Sequence, residues 1–135
     1  MPIVALVQNP TASYVVPNFV LSTSVGNDAY EQANQAITSI DVVIDAASTA
    51  PGYFLTTPTV SSQGHFLVMN TRPGVFGRFV LKVTATDSGY INNVSPAVTV
   101  EGFIFAAPVI LKVVPDMLSP SGSDLITING MHFGS

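Results

Sequence analysis

"GRFVLKVTATDSGYINNVSPAVTV", residues Gly77–Val100, decides the fold. Its opening alternates: Phe79, Leu81, Val83 and Ala85 fall on one side of an extended chain, and Arg78, Val80, Lys82 and Thr84 on the other. Successive side chains of a strand point to opposite faces, so this period predicts a strand with one face on a core and its cations in water. Asp87-Ser88-Gly89 then supplies turn formers, and Ala97–Phe105 returns to an apolar, β-branched run. Two strands joined by a loop over Asp87–Ser95 follow from these residues alone.

The same logic extends outward. In Ser39–Asp45, Ile40, Val42 and Ile44 are expected inward and Ser39, Asp41, Val43 and Asp45 outward. Further strands are expected at Ile3–Val7, Tyr14–Leu21, Gly52–Thr57, Gly64–Asn70, Val109–Val114 and Leu125–Asn129, with Pro17 demoting the second to an edge or a bend. Asn9-Pro10, Gly26-Asn27-Asp28, Pro51-Gly52, Pro73-Gly74 and Ser119-Pro120-Ser121-Gly122 punctuate them. The one helical candidate is "DAYEQANQAI", Asp28–Ile37, one to three turns at most. Short strands at this spacing without a long helix predict an all-β sandwich or barrel.

The 135 residues suit one domain, or a domain and a fragment. Eight acidic and four basic residues (Arg72, Arg78, Lys82, Lys112) leave a surface built of Ser, Thr, Asn, Gln and apolar atoms, poorly protected against association. Mean hydropathy is +0.48, yet the apolar runs are far shorter than the ~20 residues that cross a bilayer, so no membrane span is expected. Burial against other subunits or partners is the simplest account of the excess. A net charge of −4 with scattered cations lacks the Lys and Arg clusters of a nucleic-acid binder. The absence of cysteine excludes a disulfide framework, a thiolate nucleophile and Cys-ligated zinc. The N-terminus lacks the basic and uninterrupted apolar regions of a secretory signal, so either the chain is made and assembled in a cytoplasm or a signal was removed and a Met added.

Two resemblances rest on these motifs. Gly77–Val100, with its Val-Thr-Ala-Thr-Asp-Ser strand end, loop and closing Ala-Val-Thr-Val strand, resembles the last hairpin of an immunoglobulin-like, cadherin-like or PKD-like module. "APVILKVVPDMLSPSGSDLITINGMHFG", Ala107–Gly134, resembles the start of an IPT/TIG domain, also immunoglobulin-like. The matching elements are Pro108, Val113–Pro115, the Ser119–Ser123 turn and Ile126–Gly134; where paired glycines are usual, this chain has Gly122 and Ser123. Gly130 and Gly134 are read as bracketing a tight turn at positive φ, with Phe133 plugging the sandwich end. The resemblances imply an immunoglobulin-like β-sandwich over residues 1–106 and an incomplete IPT/TIG-like strand pair over 107–135. Three arrangements of that pair stay open: completion by sequence beyond Ser135, pairing with the first domain, or strand addition to a neighbouring subunit.

The inventory for catalysis is thin. His65 and His132 have no carboxylate at triad or metal-site spacing, and no nucleophile elbow, zinc-protease or phosphate-loop motif occurs. No enzyme activity, cofactor or metal is expected. Asp41 and Asp45 lie roughly 13 Å apart along an ideal strand, too far to share an ion, and Asp87 suits an Asx turn. The aromatics Tyr53, Phe54, Phe66, Phe76, Phe79, Phe103 and Phe105 read as core or interface. Tyr90, beside Asn92 and Asn93, is the exposed exception and the candidate interaction loop, with carbohydrate as one ligand class. Val109, Leu111, Val113, Leu125, Ile126 and Ile128 are candidate assembly-strand residues.

These readings predict a structural protein held by apolar and edge-strand contacts to capsid or tail subunits or to itself, a phage virion surface component such as a decoration or tail protein. Low charge, 25 Ser and Thr residues and the apolar excess motivate it, and immunoglobulin-like modules on phage surfaces permit it. The alternative is an adhesion module of a bacterial cell-surface or secreted protein, extracellular and one of a tandem array.

Overall fold

A computed structural model describes residues 3–26, 28–61, 65–115, 117–122 and 124–133, and the chain divides into two compact units, Met1–Phe105 and Ala106–Ser135. The first contains β1 (Ile3–Val7), β2 (Ser13–Pro17), α1 (Ala29–Asn34), β3 (Ile37–Ile44), β4 (Thr59–Val60), β5 (Phe66–Asn70), β6 (Gly77–Asp87) and β7 (Val98–Phe105). One sheet has the order β1-β7-β6-β3, with β1 parallel to β7 and the other pairs antiparallel; the other has the order β2-β5-β4, all antiparallel. The protein is all-β, with a sandwich-like core drawn from both sheets. Val4, Val42, Phe79, Leu81, Val100 and Ile104 from the first meet Tyr14, Leu67 and Met69 from the second.

Packing explains two residues at the centre. Gly102 of β7 lies under the Phe79 ring, which a Cβ at that position would strike. The absent side chain thus makes room for the largest fully buried one. Tyr53 and Phe54 complete an aromatic cluster on Phe79, with ring centroids 5.0–5.6 Å apart. The Tyr53 hydroxyl donates to the Gly77 carbonyl at 2.9 Å, and burial, with a smaller contribution from Tyr14, pushes its pKa up to about 12.

Strand β6 follows the expected alternation with one departure. Phe79 and Leu81 are buried and Arg78 and Lys82 exposed, but Val80, expected outside, is only 3% exposed. The connection after β3 is fastened at this residue: Asp45 N–H donates to its carbonyl, and the buried Thr49 Oγ1 accepts from its N–H at 2.9 Å. Periodicity could not show that a loop distant in sequence occupies this position. The cations answer to acids across the sheet, Arg78 to Glu101 at 2.5 Å and Lys82 to Asp45 at 3.8 Å.

Other boundaries moved for local reasons. β2 stops at Pro17 rather than Leu21, because Asn18 turns the chain at a φ of +53°, and β2 is indeed an edge strand. Gly52–Thr57 contributes a single bridge, Phe54 to Thr71, instead of a strand. The helix shrinks to six residues, capped by Asp28 Oδ1 accepting from the Tyr30 N–H at 2.7 Å, and it buries nothing. Gly64, the expected start of β5, lies outside the described residues.

The second unit is an antiparallel pair, β8 (Val109–Val114) and β9 (Thr127–Met131). β9 starts two residues later than expected, so Leu125 and Ile126 precede it. Gly130 is extended within β9, not in a positive-φ turn; His132 takes the left-handed conformation, at a φ of +61°. Gly130 is needed for another reason: the Phe133 ring folds back over it, and a Cβ would strike the ring and the Val109 carbonyl. Gly134 lies outside the described residues.

Candidate functional site

The β6–β7 connection is a tied loop with an apolar tip. Asp87 N–H donates to the Asn93 carbonyl at 2.8 Å, Gly89 N–H to Asp87 Oδ1 at 2.7 Å, and Ala85 N–H to Ser95 Oγ at 2.9 Å. Ser88 and Ala36 exchange two further bonds, which fasten the loop to the residues entering β3. Asn92 holds a φ of +52°, a conformation asparagine tolerates better than most residues. At the tip Tyr90 is fully exposed and Ile91 83% exposed. Of the candidate residues here, Tyr90 is presented to solvent, Asn92 bends the backbone and Asn93 closes the loop base through its carbonyl.

A cleft opens at the same end of this unit. It holds about 680 Å³ between the two sheets, walled by Val4, Val16, Ile40, Val83 and Val100 and rimmed by residues 17–24. No charged side chain is among the described residues that line it. Ser95 belongs to both features, as a tie at the loop base and as part of the cleft wall. Sequence reasoning missed Ile91, hidden in a turn-rich segment, and the cleft, which exists only once the sheets face each other.

The β8–β9 pair carries the other candidate residues. All six residues of β8 are exposed. Strict alternation would put Val109, Leu111 and Val113 on one face, but a bulge between Ile110 and Lys112 breaks the parity. Opposed residues share a face, so Val113 with Ile128 and Ile110 with Gly130 define one apolar face, onto which Phe133 folds. The opposite face mixes Val109, Val114 and Met131 with Lys112, Thr127 and Asn129. Leu111 lies at the bulge, and Leu125 and Ile126 are exposed before β9. Ile110 was missed because the bulge cannot be read from composition; Phe133, read from sequence as plugging a sandwich end, folds over Gly130.

No protein-family model, curated protein or solved structure matches this chain. Its chemistry is therefore read from its own side chains. Among the described residues no group of three or more His, Asp or Glu could hold a metal ion. Asp41 accepts from Ser39 Oγ, Asp45 faces Lys82 and caps Ala47 N–H, and Asp87 forms the Asx turn its position suggested. His65 is exposed beside β5, and His132 Nδ1 lies 3.3 Å from the Ala107 carbonyl. Among the described residues no helix is long and apolar enough to cross a membrane. Of the aromatics named from sequence, Tyr53, Phe54 and Phe79 pack together, while Phe103 and Phe105 stack at 6.3 Å on β7, Phe105 half exposed.

Proposed function

We propose that the chain is a non-enzymatic structural protein of a larger assembly, bound to its neighbours through apolar and edge-strand contacts. The observation that carries this reading is the terminal pair: Ile110, Val113, Ile128 and Phe133 share one face and are each at least 43% exposed. An isolated two-stranded hairpin is marginal in water, and soluble monomers rarely leave such faces open. A partner surface that is itself apolar, or the free edge of a sheet, would supply the missing layer.

An immunoglobulin-like identity for the first unit is supported by its order of strands. The arrangement β1-β7-β6-β3 against β2-β5-β4, with a parallel first strand, is that of the A′GFC and BED sheets of such domains. An IPT/TIG-like reading of the second unit is supported by Phe133 seated on Gly130. A virion component, such as a phage capsid decoration or tail protein, is the setting that suits low charge and open apolar strands. The exposed Tyr90 tip favours the second reading, an adhesion module on a bacterial surface that engages protein or carbohydrate.

Light scattering after size-exclusion chromatography tests the proposal, comparing the full chain with a form ending at Ala106 and checking both by circular dichroism. The full chain should form larger species than the folded shortened form. Equal oligomeric states would remove the terminal strands as an assembly element and sink the structural reading.

A further inference from the structure

The loop tip and the cleft are two halves of one contact, and we infer that they join two copies of this chain across a two-fold axis. The tip projects Tyr90 and Ile91 with almost no contact to their own domain, while the loop base is tied by the bonds of Asp87, Ser88, Asn93 and Ser95. Rigid presentation of large apolar side chains lowers the ordering cost of docking them. The cleft is the reciprocal feature: apolar walls, no charged lining among the described residues, and about 680 Å³, within the ~300–1,000 Å³ of sites that enclose a ligand-sized group.

The occupant follows from where these features lie. A knob and a hole on the same end of one domain, joined at Ser95, are self-complementary: the tip of each copy enters the cleft of the other, and the contact closes at two subunits. A knob and hole on opposite ends would instead propagate a fibre. Charge sets the salt dependence of this contact. Asp28, Glu31 and Asp87 lie in the segments that form this end, and its two loops, residues 18–36 and 88–97, contain no Lys or Arg. Two acidic ends repel weakly in dilute salt, so this contact should tighten as salt rises, whereas docking on a basic partner would weaken.

Sedimentation equilibrium of the full chain, over a concentration series at low and high salt, reads this out. The probe is the double variant Tyr90→Ser with Ile91→Ser, which alters side chains that touch little of the domain and should leave the melting curve unchanged. Dimerisation is expected in the parent, tighter at high salt, and the variant should raise its Kd at least about tenfold, the loss of one good apolar anchor. Val98→Glu, at the half-exposed cleft wall, should weaken it similarly. A Kd that the tip substitution leaves unchanged, one that worsens with salt, or no association at all would overturn the inference. The variant Ile110→Ser with Ile128→Ser separates it from the terminal-strand proposal, since it should remove larger assemblies and leave the tip-mediated dimer.

Discussion

Strands β6 and β8 are both rich in β-branched and aliphatic residues, yet their fates are opposite. In β6, Phe79, Val80 and Leu81 are all at most 3% exposed, because a second sheet covers one face and the Thr49 connection closes over part of the other. In β8, Val109, Ile110, Leu111, Val113 and Val114 are all exposed, with β9 beside them and the Phe133 ring folded onto one face. Burial is thus a property of the layers around a strand rather than of the strand. Roughly 25 cal/mol per Å² of apolar area removed from water stabilises the first unit at β6, and the same term is left unused at β8. In the proposed function, that unused term is what a neighbour's surface would recover.

The contrast can be broken at its strongest point first. Phe79→Ala, which empties the space that Gly102 makes for the ring, should cost about 3–5 kcal/mol of unfolding free energy in urea titrations. A loss below about 1 kcal/mol would mean that the two sheets are not packed as described.

A smaller effect follows from Tyr53. Its folded pKa of about 12 lies above the ordinary value of 10, so the folded state holds the proton more tightly. Stability is therefore fully present below pH 10 and is lost as pH rises from 10 towards about 12, by an amount on the order of 2 kcal/mol. Thermal melts across that range should show the decline in the parent and a shallower one in Tyr53→Phe, which cannot ionise. Parallel declines would place the alkaline sensitivity elsewhere.

The smallest effect is expected where β8 is open. Ile110→Ser should change the stability of the first unit by no more than about 0.5 kcal/mol, the range of exposed substitutions, while it lowers the mass of assemblies seen by light scattering. A large loss of stability would mean that this face is already covered.

Much of the first unit was legible from residues alone. Period-two alternation located β3 and β6, and apolar β-branched runs located β1 and β7, to within a residue or two, while Pro17 marked β2 as an edge or a bent strand. The candidate sites were legible only in part. Tyr90 could be foreseen as exposed from its turn-rich surroundings, but Ile91 could not, and Leu125 and Ile126 were assigned to a strand that starts after them.

What the sequence by itself determined is local: which segments are extended, where Gly, Pro and Asn turn them, and that charged residues are few. These follow because side-chain parity and turn conformation depend on neighbours in the chain. Only the tertiary structure decided which strands pair, that Val80 is buried, that a bulge sets Ile110 beside Val113, and that an apolar tip and an apolar cleft share one end. Each of these depends on register and contact between residues far apart in sequence, and no local period encodes such a contact.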